Sequence, residues 1–87
     1  MAEVVVIEQI FDVPLTDEEH ARIGERVDKC ATIRNARWMR SYLAADRTRM
    51  LCEFEAPDVE SVRDAYRNAD VSFVRAWRAE LYQRSAR

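Results

Sequence analysis

Glycine and proline are scarce in this sequence, with one glycine and two prolines among 87 residues. Glycine-rich phosphate loops, linkers and low-complexity segments depend on these residues, so the sequence offers none of the three. A chain of this length also has room for only one hydrophobic core. We therefore expect a single domain that spans residues 1–87.

Reactive side chains are few as well, since histidine occurs once and cysteine twice. A Ser-His-Asp triad cannot be assigned from one histidine, and Cys30 and Cys52 are too far apart to form a Cys-x-x-Cys metal site. His20 follows Asp17 by one helical turn. This spacing suits an exposed metal pair, but we interpret His20 first as a solvated helix residue.

No long apolar run and no excess of positive charge are present, and the formal net charge is -2. Nucleic-acid binding calls for a basic face, and a membrane helix needs about 20 apolar residues. Glu3 and Glu8 interrupt the N-terminal segment, unlike the apolar region of a signal peptide. We predict a cytoplasmic protein with reduced cysteines and with neither nucleic acid nor a membrane as partner.

Periodic apolar positions predict four strands and two helices. Thr16 and Glu19 form a capping box for the first helix, and Asp58 caps the second. Residues 72–82 also suit a helix by propensity, but a strand completes the repeated strand-helix-strand order. The predicted elements are a strand over 3–11, a helix over 16–35, a hairpin of strands 36–44 and 48–55, a helix over 58–69 and a strand over 72–82.

The predicted fold is α+β and ferredoxin-like: a βαββαβ chain forms a four-stranded antiparallel sheet with two helices on one face. Residues 4–7 are continuously apolar, so both faces of the first strand should be covered. Pairing of two sheets in a homodimer, as a dimeric α+β barrel, is the simplest cover. Trp38, Tyr42 and Trp77 are expected between that interface and a cavity.

Candidate chemistry on the second strand involves Arg40 and Tyr42, which strict alternation puts on the same side as Trp38. Arginine can hold a carboxylate, and a tyrosine hydroxyl can donate a proton. Tyr66 lies on the inner stripe of the second helix and can serve similarly. Packing explains the same residues without chemistry, with Arg40 at a dimer rim and Tyr66 in the core.

Candidate metal chemistry involves Cys52, which is either a ligand or a small buried hydrophobe. Glu8 lies in a predicted central strand, where a carboxylate must be paired, protonated or part of a site. The register between strands decides whether these residues meet, and the sequence does not give it. Gly24 weakens the first helix by about 1 kcal/mol relative to alanine, which suggests a close approach at that point.

Two segments, VVVIEQIF at residues 4–11 and WMRSYLAADRTRMLCEFEAPDVESVR at residues 38–63, carry a resemblance to a known family. The chain resembles small nickel-binding bacterial proteins of unknown function, and the resemblance implies a ferredoxin-like fold and binding of nickel or another divalent metal. Tyr42 and Cys52 match positions of that family. Where its members carry histidines, this chain has Arg40 and Tyr66, and arginine does not replace imidazole as a nickel ligand.

The predicted function is therefore that of a homodimeric metal-binding protein, with Cys52 and an oxygen ligand from Glu8 or Tyr42 forming the site. The alternative is a small cofactor-free monooxygenase, isomerase or cyclase of the dimeric barrel type. Its substrate would be aromatic or polyketide-like, with Arg40, Tyr42 and Tyr66 as catalytic residues. The expected partners are a second copy of the chain and a metal ion or a small apolar ligand.

Overall fold

The computed structural model describes residues 2–84, so residues 1 and 85–87 of the predicted domain lie outside the described part. Its elements follow the predicted β-α-β-β-α-β order. Neither helix in this part is long and apolar enough to cross a membrane. The elements are β1 (Glu3–Ile10), α1 (Asp17–Ile33), β2 (Arg37–Leu43), β3 (Arg49–Ala56), α2 (Val59–Asn68) and β4 (Arg75–Ala79).

The strands form one antiparallel sheet in the order β2-β3-β1-β4, which confirms the ferredoxin-like topology. Alternate residues of each strand face opposite sides. We call the side covered by the helices the helix side; there Val5, Ile7 and Phe54 join the core with residues of α1 and α2. We call the other side the open side; it carries Val6, Glu8, Leu51 and their alternate neighbours.

Both predicted helix caps are present. The Thr16 hydroxyl accepts a hydrogen bond from the Glu19 backbone N–H at 3.1 Å. Asp58 accepts one from the Ser61 backbone N–H at 2.7 Å, and bonding to Ser61 lowers the pKa of the Asp58 carboxyl. Each cap satisfies an N–H group that the first helical turn leaves free, which fixes where the helix begins.

The core lies between the helices and the helix side of the sheet. The predicted α2 stripe is buried throughout, and its Tyr66 ring makes edge-to-face contacts with Phe54 and Phe73, at centroid distances of 6.0 and 5.9 Å. In α1, Val27 and Ala31 are buried, and Ile23 and Cys30 pack against the core while only half-buried. The two helices therefore hold the helix side of β3 and β1 away from water.

The last strand is confirmed but shorter than predicted. The residues Arg75–Ala79 pair with Val4 to Glu8 of β1. Within residues 2–84, no other position of β1 pairs with β4. Before it, the Val74 N–H donates to the Glu8 carbonyl at 2.7 Å. Residues outside this span have no opposite partner on β1, so the strand ends there.

A β-bulge in β2 corrects the predicted alternation. Trp38 pairs with Phe54 and Arg40 with Glu53, so the register shifts between Trp38 and Arg40. The extra residue inverts the remaining alternation. Trp38 therefore lies on the helix side, whereas Arg40 and Tyr42 lie on the open side, and the expectation that all three share one side is wrong.

Candidate functional site

A cavity of about 360 Å³ lies between α1 and the helix side of the sheet. Its walls are largely apolar, with Ile23 and Val27 contributed by α1 and Met50 and Phe54 by β3. Trp38 also borders it and is 50% exposed. Apolar concave sites of this size, with a few polar groups, are typical of small-molecule binding sites.

A chain of hydrogen bonds runs along the floor of this cavity. The Trp38 indole Nε1–H donates to Ser41 Oγ at 2.8 Å, and Ser41 Oγ donates to Cys52 Sγ at 3.0 Å. Ser41 and Cys52 are direct cross-strand neighbours, which the bulge makes possible. The bonds satisfy the indole N–H and hold the ring of Trp38 in one orientation.

The two acidic groups on the floor are held in their neutral forms. Burial raises the pKa of the Cys52 thiol above its ordinary value of 9.0, although hydrogen bonds with Ser41 and Tyr66 act in the opposite direction. Burial, and secondarily the neighbouring Cys52, raises the pKa of the Tyr66 hydroxyl far above its ordinary value. At neutral pH both groups therefore keep their protons.

Gln9 supplies the most unusual polar group of the cavity. The side chain is 2% exposed, and its Nε2 donates to the Ser72 carbonyl at 3.1 Å. Its Oε1 has no hydrogen-bond partner among residues 2–84. A reversed amide would set Oε1 against the Ser72 carbonyl oxygen, so the hydrogen bond fixes this orientation. An unpaired buried acceptor costs about 1–3 kcal/mol.

Gly24 borders the cavity at the edge of α1, and the predicted close approach there is wrong. A Cβ built on Gly24 meets nothing within 4 Å, so open space lies above it. Packing therefore does not explain the cost of about 1 kcal/mol that a mid-helix glycine carries. His20, Glu25 and Asp28 lie around the same edge. We call these three residues and Gly24 the α1 rim.

Glu8, on the open side, is held by two arginines. Its carboxylate oxygens lie 2.7 Å from Arg49 Nε and 3.2 Å from Arg75 Nε, and the residue is 4% exposed. Arg49 and Arg75 come from the strands on either side of β1. Of the three alternatives expected for this carboxylate, the structure shows the paired one.

The predicted site residues are divided between the two sides of the sheet. Ile7 pairs with Cys52 and Glu8 with Leu51, so Cys52 faces the cavity while Glu8 faces the open side. Tyr42 is also on the open side and pairs with Leu51, so the proposed metal ligands do not meet within one chain. The proposed catalytic residues are divided in the same way. Tyr66 lies at the cavity, whereas Arg40 lies on the open side with its Nε 3.4 Å from Glu53 Oε2.

The residues around Cys52 do not fit a nickel ion within one chain. Across residues 2–84, no three His, Cys, Asp or Glu side chains are grouped closely enough to hold a metal. The neighbours of the Cys52 thiol are the hydroxyls of Ser41 and Tyr66, and burial favours its protonated form. Nickel binds imidazole and deprotonated thiolate ligands, and hydroxyl groups are poor substitutes.

Sequence reasoning missed Gln9 and Ser41 as cavity residues. Gln9 continues the alternation of Val5 and Ile7, so its polarity at the third buried position was a usable signal. Ser41 was concealed by the bulge, because simple alternation assigns it to the other side. The sequence shows that Gly24 is costly, but only the structure shows the space above it.

Comparisons with known proteins agree on the fold. The family model described as "Nickel responsive protein SCO4226-like" matches residues 5–79. The crystal structure of SCO4226 from Streptomyces coelicolor A3(2) superimposes with a TM-score of 0.82 at 11% identity, covering 92% of this chain and 99% of that one. At this identity the likeness concerns the fold alone. No curated protein matches the sequence.

Proposed function

The chain belongs to the SCO4226-like family of nickel-responsive proteins, and we propose that it is a homodimeric, non-catalytic binding protein that holds a small organic molecule beneath α1. The observation that carries the proposal is the largely apolar cavity bordered by Trp38, Ser41 and Cys52. The apolar walls would supply most of the binding free energy.

A binding role agrees better with the cavity than the enzyme alternative. Nucleophilic catalysis needs a thiolate, and general base catalysis needs a group with a pKa near the working pH. Burial moves the pKa of Cys52 and of Tyr66 away from that range. Arg40 and Tyr42, the other proposed catalytic residues, lie on the open side. The neutral groups are suited to orienting a ligand by hydrogen bonds.

The family description makes nickel the first ion to test. Our proposal predicts that equilibrium dialysis of untagged protein gives a nickel stoichiometry well below one per chain, because the Cys52 surroundings favour the thiol. Cys52→Ser should leave that value unchanged. Stoichiometric nickel binding that Cys52→Ser removes would contradict the organic ligand and restore the predicted metal site at Cys52.

The open side supports the proposed homodimer. Val6 and Leu51 lie next to Trp77 and Tyr42, which are 38% and 58% exposed. The carboxylates on this side are already paired with arginines of the same chain, including Glu53 with Arg40. A second copy can therefore approach face to face without opposing unpaired carboxylates.

Sedimentation velocity at micromolar concentration tests this pairing. We expect the wild-type chain to sediment as a dimer and Trp77→Glu as a monomer, because a buried carboxylate without a partner opposes association. Ile33→Glu is the matched control, since Ile33 is 78% exposed on α1 and away from the sheet. A monomeric wild-type protein would contradict the dimer but not the cavity.

A variant that fills the cavity mouth tests the ligand site. Gly24→Leu places a side chain in the open space at the α1 rim and should abolish binding of small aromatic fragments, measured by ligand-observed NMR. Thr32→Leu, on the same helix but away from the cavity, should bind them like wild type. Equal binding by both variants would place the ligand elsewhere, and no binding by wild type would reject the proposal.

A further inference from the structure

The charges on the open side of the sheet do not balance. The strands place four arginines and three glutamates there: Arg37, Arg40, Arg49 and Arg75, with Glu8, Glu53 and Glu55. Glu55 and Glu53 each pair with one arginine of β2, with nitrogen–oxygen distances of 2.6 and 3.4 Å. Glu8, in contrast, is shared by Arg49 and Arg75, which we call the arginine pair. The arginine pair therefore carries one positive charge that no carboxylate of this side neutralises.

The Glu8 carboxylate positions the arginine pair and leaves its outer nitrogens free. Glu8 is 4% exposed, and its Oε2 and Oε1 lie 2.7 and 3.2 Å from the Nε atoms of Arg49 and Arg75. Within residues 2–84, no Nη group of either arginine donates a hydrogen bond, and neither arginine forms an ion pair with another carboxylate. The two arginine side chains are 63% and 65% exposed. Their Nη groups are therefore accessible to a ligand.

Two guanidiniums on one carboxylate suit a small oxyanion. Guanidinium groups donate parallel N–H bonds to the oxygens of carboxylates and phosphates. The oxygens of a phosphate or of a second carboxylate are spaced much like those of Glu8. Such an anion can therefore bond to both arginines from the solvent, as Glu8 does from the sheet. A chloride ion has a single acceptor centre and offers no such match.

Pairing of two copies would make the unbalanced charge costly. Apolar side chains surround the arginine pair, with Ile10 and Leu51 next to Arg49 and Trp77 next to Arg75 on the open side. Covering this surface removes water from the guanidiniums, and a buried charge without a partner opposes association. A second copy brings an identical surface on which every glutamate is already paired. It adds a second arginine pair and no free carboxylate.

We propose that the arginine pair binds a small oxyanion, a phosphate or an organic carboxylate, and that this anion neutralises the open side when two copies pair. The binding site itself follows from the contacts of Glu8, whereas its link to association rests on the proposed homodimer. The cavity beneath α1 lies on the other side of the sheet and is separate from this site.

Titration of the whole protein with phosphate, acetate or chloride tests the site. Bis-Tris buffer at constant ionic strength avoids competing oxyanions and keeps general screening equal. NMR should show that phosphate or acetate shifts the Nε–H signals of Arg49 and Arg75 more than those of Arg37 and Arg40, while chloride shifts none. A response to only one of the two oxyanions would support the site and identify its class. No response to either would overturn the site.

A charge-matched pair of variants separates the site from general attraction. Arg49→Gln removes one guanidinium of the arginine pair and should weaken binding of the responding oxyanion about tenfold. Arg37→Gln removes the same charge from the same side but leaves the arginine pair intact, so it should preserve the affinity. Equal weakening by both variants would overturn the site. If Arg49→Gln fails to fold, Arg75→Gln replaces it, and the signals of the wild-type protein decide independently.

Sedimentation velocity over a dilution series tests the link to association. At equal ionic strength, the wild-type chain should dimerise about tenfold more tightly in the responding oxyanion than in chloride, because an anion that binds the dimer stabilises it. Arg49→Gln balances the charges of the open side and should associate equally in both salts. Equal association of the wild type in both salts would overturn the link but not the site. A wild-type monomer in both salts would overturn the link and the proposed homodimer, while the NMR titration decides the site in either case.

Discussion

Buried polar groups on the helix side of the sheet are neutral, whereas those on the open side are ionised and paired. Gln9 and Glu8 are adjacent in β1 and are 2% and 4% exposed, yet Gln9 faces a cavity and Glu8 faces two arginines. Helices exclude water from the helix side, so charge there would be costly. On the open side, Arg49 and Arg75 keep contact with solvent while neutralising Glu8.

This difference shows how one antiparallel sheet can carry two kinds of surface. The helix side gains stability from packing and keeps a few neutral hydrogen-bonding groups at the cavity. The open side combines apolar residues with ion pairs, and it is suited to a second protein surface. Four predictions test the contrast, in order of decreasing effect.

The largest effect is expected in the core of the helix side. Phe54→Ala should lower the free energy of unfolding by about 3–5 kcal/mol, because Phe54 is 1% exposed and its loss leaves a cavity next to Tyr66. Leu51→Ala, on the open side of the same strand, should cost less than half as much when urea denaturation is measured at a protein concentration below the dissociation constant of the proposed dimer. Equal losses would show that the two sides are packed alike.

A smaller effect is expected for the ion pairs of the open side. Glu8→Gln should lower the free energy of unfolding by about 2 kcal/mol, since it removes the buried partner of two arginines. Glu55→Gln is the matched control, because the Glu55–Arg37 pair is more exposed and exposed pairs contribute about 0–1 kcal/mol. Urea denaturation measures the free energy of unfolding of both variants. If Glu8→Gln unfolds with the same free energy as the wild type, the ion pairs of the open side do not stabilise the fold as expected.

The neutral groups of the helix side predict a loss of stability in alkali. Below the ordinary thiol pKa of 9.0, Cys52 is protonated in both the folded and the unfolded chain. Above it the unfolded chain releases the proton while the folded chain, with its raised pKa, retains it. Stability therefore falls as pH rises, and Tyr66 adds to the fall above its ordinary value of 10.0.

The Cys52 contribution should reach about 1 kcal/mol near pH 10, seen as the difference between the pH dependence of wild type and of Cys52→Ala. Cys30→Ala is the control, because Cys30 is only partly buried on α1. Urea denaturation between about pH 7 and pH 10 gives both curves. If the free energy of unfolding depends on pH in the same way for wild type and Cys52→Ala, the Cys52 thiol does not have the raised pKa that the structure indicates.

The smallest effect is a gain. Gly24→Ala should raise the free energy of unfolding by about 0.5–1 kcal/mol, because alanine favours the helix and its Cβ meets nothing within 4 Å. Thermal unfolding measures the change, with Thr32→Ala as a second exposed substitution on α1. A destabilised Gly24→Ala would mean that the space at the α1 rim is already filled.

Much of the fold was predictable because local signals agreed with one another. Thr16 and Asp58 mark the helix starts, and the apolar stripe of α2 includes Tyr66. The site was less predictable. Cys52 was recognised as a candidate, but its neighbours depend on the register of three strands and on one bulge between Trp38 and Arg40. Neither feature has a local sequence signal here.

The sequence by itself determined the order of the elements, the helix caps and the apolar stripe of α2, since all of these depend on spacing along the chain and on backbone hydrogen bonds within a few residues. Only the tertiary structure decided that Glu8 meets Arg49 and Arg75 while Gln9 meets a cavity. Such contacts join residues distant in sequence. A register shift of one residue would exchange the two sides of the sheet without changing any local preference.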